Sequence, residues 1–423
     1  MTNAEAPARP YSTFDISSHS FWEKSFADRE ETFAKLRAAD GLTWHEPTEA
    51  LFPHEETGFW AVTRNADIRY VSAHADEFCS GRGVTLDAMP VEIQKATTFF
   101  LTMDAPEHTR YRRLISMAFT PKQVRKIDEQ IKANAIRIVD DLIAALDGGE
   151  PIDFMDVVAK KLPMQTVSEM IGLPKDQHET VAAAAEAVFG TSDDEVGGNL
   201  EEKAVFLMMQ LGVLTTAGVE LAKDRRINPQ DDLMTNIVQA EVDGHSLTDE
   251  EVGAFTVLLA SAGNDTTKQT TAHAFKALLD HPDQLAWLRA DVDGRIGGAV
   301  DEFVRWATPV MQFTRTATRD TELAGTPISE GDKVAIFYCS GNFDTETFEN
   351  PGAFDLDRFP NQHVGFGGGG PHHCLGKQLA VLELKHLFTQ LATRIPDVEL
   401  VGEVEYTYSD FVHGVKRMTI RKR

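Results

Sequence analysis

Three stretches of the chain combine residue types that can do chemistry. The first, Phe366 to Gly376, reads FGGGGPHHCLG and sets Cys374 directly after two histidines and a run of four glycines. A helix-forming stretch, Lys377 to Phe388, follows it. Amides at a helix N-terminus favour a thiolate over a thiol, and glycines let a large flat ligand approach the backbone. Residue types alone leave two other readings open. Cys374 could be a small buried thiol after a glycine turn. Or it could join His363, His372 and His373 around zinc, although adjacent ligands suit a closed tetrahedral shell poorly and no CxxC accompanies them.

The second stretch, Ala262-Gly263-Asn264-Asp265-Thr266-Thr267, interrupts the longest helical pattern. A glycine inside a helix costs about 1 kcal/mol against alanine, and a buried acid beside hydroxyls adds to that cost. Such weakening points to function, because a carbonyl freed by Gly263 or by a threonine side chain leaves a groove for bound O2. The plainer alternative is that Thr266 and Thr267 back-bond to carbonyls one turn earlier. The third stretch, Met103 to Arg113, puts His108 and Arg112 on one helix face at i, i+4, where two cationic donors can bind an anion. Glu302 and Arg305 form an i, i+3 pair, a spacing common on surfaces and worth little there.

The elements that must carry these groups are mostly helical. Apolar periodicity predicts helices over Glu30–Ala39, Lys122–Ala145, Val157–Ile171, His178–Phe189, Glu201–Lys223 and Asp231–Glu241. The longest starts at Thr248, where Thr248 and Glu251 make a capping box, and runs to Asp280 before His281-Pro282 stops it. Strand signals are sparser: Gly58–Thr63, Phe313–Thr318, Lys333–Tyr338 and Met418–Arg421. The expected fold is mainly α with small antiparallel β-sheets, in a single domain over 1–423 with a short flexible N-terminus of about 1–15. Thr191 to Asn199 (TSDDEVGGN) reads as a loop.

Composition narrows the partners. Sixty-six acidic against 41 basic residues give a formal charge of -25, which repels nucleic acid. Cys79, Cys339 and Cys374 are too few and too scattered for a disulfide framework and imply a reducing, cytoplasmic setting. The N-terminal ten residues lack a signal peptide's apolar core, and the strongest apolar stretch, Val252–Gly263, is too short to span a bilayer, so no membrane anchor is expected.

With Gly370 four residues before Cys374, His372 two before and Gly376 two after, the chain resembles the cytochrome P450 family, and the resemblance extends over most of its length. It implies heme b with Cys374 as axial thiolate, a ligation that pushes electron density toward O–O cleavage. Phe366 and Gly376 would complete the loop around the cofactor, and His108, Arg112, Arg315 and His372 would hold its propionates. Asp265 would relay protons from solvent, and Thr266 would steady the oxygen and its water. Glu302, Arg305 and Arg358 (in FDLDRF) match the family's buried structural triad. The substrate segments would line a pocket with Leu86, Met89, Val91, Phe99, Phe100, Met208, Met209, Ala262, Val310, Met311, Phe411 and Val412. The implied activity is insertion of one oxygen atom from O2 into a C–H bond of a hydrophobic small molecule. Electrons would come from a ferredoxin and its reductase, the ferredoxin docking at a basic patch of Arg110, Arg113 and Lys377. A haem sensor or carrier and a peroxide-driven hydroxylase are the competing readings; the Asp265-Thr266 pair speaks against both.

One departure stands out. The family's usual phenylalanine lies seven residues before the cysteine, whereas Gly367 is there and Phe366 is eight before, so the loop is one glycine longer. That lengthened form is similar to the loop of bacterial members acting on sterol side chains and branched lipids, a class the present reading extends to terpenoids. His373, beside the ligand position, stands where an apolar residue is more usual.

Overall fold

A computed structural model describes residues 9–50, 52, 54–90, 93–94, 99–190 and 199–423. Val91 and all of the expected loop except Asn199 lie outside the described residues. The principal helices are α1 (Phe26–Arg37), α2 (Asn65–Ala73), α3 (Glu107–Ala118), α4 (Pro121–Asp147), α5 (Lys161–Ile171), α6 (His178–Gly190), α7 (Leu200–Ile227) and α8 (Leu233–Gln239). They continue as α9 (Asp249–Asp280), α10 (Pro282–Ala290), α11 (Val292–Ala307) and α12 (Lys377–Arg394). The chain is mainly α with small sheets.

The organising element is α9, whose 32 residues span about 48 Å. Its start is fixed as the sequence predicts: the Thr248 hydroxyl accepts from the Glu251 amide at 3.2 Å, and the Glu251 carboxylate accepts from the Thr248 amide at 2.8 Å. Helices α5, α6, α7 and α11 pack along it. Most of the apolar core lies here, with Ile131, Leu142, Phe154, Leu162, Val257, Phe275, Phe303 and Phe388 buried together. The apolar stretch of α7 is longer than the one the sequence reading singled out. Glu201–Ile227 is long and apolar enough by length and composition to cross a membrane, yet the helix packs on α6 and α9.

The largest sheet contains β1 (Thr43–His45), β2 (Phe59–Val62), β3 (Phe78–Cys79), β4 (Gln312–Ala317) and β5 (Lys333–Phe337), in the order β1-β2-β5-β4-β3. All its pairings are antiparallel except β2 with β5, which is parallel. These two strands meet from distant parts of the chain, so no hairpin constrains their direction. Part of the segment expected to be loose, about 1–15, lies within the described residues and makes tertiary contacts. Arg9 is ion-paired to Asp332 at 2.6 Å and stacks over Trp44 and Trp60, and Ile16 is fully buried.

Candidate active site

The cysteine loop is shaped by its contact with α2. A side chain at Gly370 would sit 1.9 Å from the Ser72 carbonyl oxygen, and one at Gly368 would sit 2.5 Å from Ser72 Oγ. Gly370 also has φ +72°, a region that side chains resist. These two glycines therefore serve loop-to-helix packing, not the ligand approach expected of the whole run. The Cys374 amide donates to the Phe366 carbonyl at 3.0 Å, closing the loop. Gly376 caps α12, and a side chain there would stand 3.9 Å from Cys374 Sγ.

Cys79 and Cys339 are buried, whereas Cys374 is exposed. Burial among protein atoms still pushes the Cys374 thiol up, against the amides of Gly376 and Lys377 and the charge of Arg112. The sulfur thus faces open space inside the fold. Zinc is a poor fit. His363 faces Asp301 at 3.4 Å, His372 faces Ser80 Oγ at 3.1 Å, and no cluster of three His, Cys, Asp or Glu side chains forms a metal site among the described residues.

Four nitrogen-rich side chains converge near this space. His108, 2% exposed, has its ring 4.1 Å from that of His372. Buried His108 Nε2 and His372 Nδ1 have no hydrogen-bond partner. Arg112 donates to the His373 carbonyl at 2.7 Å and buried Arg315 to the Thr314 carbonyl at 2.6 Å, and neither has a carboxylate partner among the described residues. Burial, then Arg315, His108 and Arg112, push His372 down to about 2. Burial followed by Arg112 lowers His108 as well. A soft sulfur beside unneutralised cations and orphaned ring nitrogens fits a haem with two carboxylates better than any neutral or cationic ligand.

The Glu302 and Arg305 side chains meet without solvent, and Arg358 joins them from the edge. Arg305 donates to both oxygens of Glu302 at 2.7 Å, and Arg358 Nε reaches Glu302 Oε2 at 3.2 Å. The remaining Arg305 donors go to the carbonyls of Asn342, Pro351 and Ala353. Asn342 in turn accepts from the Val364 amide at 2.7 Å. The cluster ties α11 to the segment that leads into the cysteine loop.

On α9, the Thr266 hydroxyl donates to the Ala262 carbonyl at 2.8 Å. Asp265 pairs with Lys268 at 2.5 Å, and Lys268 with Glu186 of α6 at 2.8 Å. Sequence reasoning passed over Lys268 and Glu186; the i, i+3 spacing of Asp265 and Lys268 was the available signal. It also passed over Glu383, an acid buried within the apolar face of α12.

A cavity of about 380 Å³ is walled by Leu258, Ala262 and Thr266 of α9, together with Leu86, Met89, Leu101, Val310, Phe411 and Val412. Six of the residues expected in a pocket line this cavity: Leu86, Met89, Ala262, Val310, Phe411 and Val412. Phe99, Phe100 and Met311 do not. Phe99 packs edge-on to Tyr111 and Phe100 lies against the His108 ring, both within the core. Met311 turns away from its neighbour Val310 into the cluster of Phe21, Trp22 and Phe337, where its sulfur accepts from Arg29. Met208 and Met209 are on the surface, 49% and 63% exposed, because Leu207 is the residue of that turn that faces inward.

Residues 214–394 match the family model described as Cytochrome P450. The chain is 36% identical over 414 residues to the methyl-branched lipid omega-hydroxylase of Mycobacterium tuberculosis, covering 98% of this chain and 96% of that one. It is 35% identical over 398 residues to the steroid C26-monooxygenase of Mycolicibacterium smegmatis, covering 92% and 90%. Among solved structures, the Mycobacterium marinum cytochrome P450 CYP268A2 in complex with pseudoionone superposes with a TM-score of 0.93 at 48% identity, covering 98% of this chain and all of that one. Fold, site and relatives agree: the chain belongs to the cytochrome P450 family. It is an oxidoreductase of the monooxygenase type, with haem as cofactor and a cysteine thiolate as its iron ligand.

Proposed function

We propose that this P450 hydroxylates the branched, apolar end of a sterol, branched lipid or terpenoid in the cytoplasm, drawing electrons from a ferredoxin and its reductase. The cavity carries this reading: its α9 wall joins apolar Leu258 and Ala262 to Thr266. The names of the relatives, which specify a methyl-branched lipid, a steroid and bound pseudoionone, support the same class.

The roles follow from placement. Cys374 is the thiolate ligand, being the cysteine that reaches open space. His108, Arg112, Arg315 and His372 bind the propionates, which would neutralise their crowded charge. Phe366 and Gly376 shape the loop around the sulfur. Bound there, haem supplies the one-electron chemistry that activates O2. Thr266 orients water beside the reacting oxygen, and Asp265 hands on protons received through Lys268 and Glu186, the latter half exposed. The apolar walls exclude the excess water that would waste electrons as peroxide. Arg110, Arg113 and Lys377 offer an acidic ferredoxin a local basic face on a chain of net charge -25, so its reduction rate should fall steeply with salt.

The test is a panel of sterols, branched lipids and terpenoids titrated into the haem-loaded protein. A low- to high-spin shift followed by incorporation of one atom from labelled O2 supports the reading. A panel that neither shifts the spectrum nor yields product overturns it.

A further inference from the structure

The substrate cavity has polar lining residues beside its apolar ones. Asp87, from the loop after β3, and Asp410, from the C-terminal loop, both line it. Asp87 accepts a hydrogen bond from Thr48 Oγ1 at 2.8 Å. The Asp410 carboxyl meets its own backbone amide and has no ion pair among the described residues. Burial, and then Asp87, raise the Asp410 carboxyl well above the usual range. Burial likewise raises Asp87, with Thr48 and Lys333 pulling back. Carboxyls raised in this way favour the protonated form, which adds a donor to the acceptor oxygens they offer a ligand. Two further groups that line the cavity are buried and unpartnered: Gln312 Oε1 of β4, in a residue 1% exposed, and Ser261 Oγ of α9, in a residue 3% exposed. Unpaired polar atoms in a buried, mostly apolar space call for a ligand that can hydrogen-bond.

We infer that Asp87 and Asp410 hold a neutral hydroxyl end of the substrate, so that the cavity selects alcohols over carboxylates of the same skeleton. The inference rests on the lipid, sterol or terpenoid reading above and adds the chemistry of the substrate's polar end. A hydroxyl both donates and accepts, and so satisfies both members of the acid pair. A carboxylate would bring a further negative charge into a low-dielectric space. An ammonium can only donate, and would require the pair to give up its proton.

Farnesol, farnesoic acid and farnesylamine test it, titrated into the haem-loaded protein with the spin shift and the heat of binding as independent readouts. Farnesol is expected to bind at least tenfold more tightly than the acid. Asp410→Asn should lose most of that preference, mainly by admitting the acid, and Asp87→Asn should move the same way. The alcohol-to-acid ratio is taken within each protein, so partial loss of folded material does not change it. Equal binding of alcohol and acid, tighter binding of the amine, or an unchanged ratio in Asp410→Asn overturns the inference while leaving the substrate class standing. Failure of every farnesyl compound and of the wider panel overturns the substrate class and the inference with it.

Discussion

Asp265 is joined to Lys268 one turn further along α9 at 2.5 Å, and Lys268 bridges to Glu186 on α6 at 2.8 Å. Lys268 is 8% exposed in its side chain, whereas Glu186 is 53% exposed. Burial works against the Lys268 charge, but the two acids outweigh it and raise the ammonium above its usual range. Lys268 therefore stays charged between Asp265 and Glu186 and holds Asp265 in place at the inner end of this chain. Asp265→Asn should lower kcat by roughly 10²- to 10⁴-fold, the span of a lost acid–base group, with substrate binding little changed and a larger solvent isotope effect. Glu186→Gln should act in the same direction but less. An Asp265→Asn enzyme with wild-type kcat and isotope effect would remove Asp265 from the relay.

Thr266 donates its hydroxyl to the Ala262 carbonyl, an ordinary helical back-bond. If that bond is its only task, Thr266→Ala should be neutral or slightly stabilising, since alanine is the better helix former. If the hydroxyl also positions water at the reacting oxygen, the variant should keep consuming reductant and O2 while product per electron falls severalfold and peroxide rises. Product, peroxide and reductant measured together decide between them.

Arg305 is the anchor of the Glu302 cluster, with both residues fully buried. Removing one member of a buried pair leaves an uncompensated charge, at a cost of about 3–5 kcal/mol. Arg305→Ala should therefore express as little or no haem-loaded protein. Arg305→Lys should be intermediate, because a lysine cannot make the fork to Glu302 while also serving the carbonyls of Asn342, Pro351 and Ala353. Comparing the yield of protein with the thiolate–CO spectrum across the three proteins checks the order.

The relationships that could be read from the sequence were local ones. Thr248 with Glu251 and Glu302 with Arg305 lie three residues apart, where helix geometry alone brings side chains together. Arg358, Arg315 and His372 enter their clusters from distant segments, and only the family resemblance pointed to them. Facing was harder still. Val310 and Met311 are adjacent and equally apolar, yet one lines the cavity and the other fills the core beneath Arg29. The sharing of one cavity by Asp87 and Asp410 had no sequence signal at all, since neither belongs to a motif and the cavity forms only in the completed fold.

Cys374 fixes a spectroscopic prediction. The reduced, CO-bound protein should show the strongly red-shifted Soret band of thiolate ligation, and Cys374→Ser should lose it. Cys79→Ser and Cys339→Ser should retain it, because both thiols are buried, the first in β3 and the second just after β5. A Cys374→Ser spectrum identical to wild type would remove Cys374 as ligand.

Glu383 contributes a pH dependence to stability. It is 2% exposed on α12, and burial raises its carboxyl to about 7, against the pull of the Thr166 and Thr267 hydroxyls. The Thr166 hydroxyl already donates to the Leu162 carbonyl at 2.9 Å, so it serves Glu383 best as an acceptor, which favours the protonated acid. The folded chain thus keeps a proton that the unfolded chain releases near its ordinary carboxyl range. Stability from this group is complete below that range, declines as pH rises toward 7, and is flat above it. The full span is about 3 kcal/mol, at 1.36 kcal/mol per unit. Glu383→Gln removes the ionisation while keeping the shape and the capacity to hydrogen-bond. Chemical unfolding followed from pH 5 to 8 should show the two proteins similar at pH 5 and the glutamine variant progressively more stable toward pH 8. Parallel curves would mean that Glu383 is already ionised at pH 5 and is held by partners other than a proton.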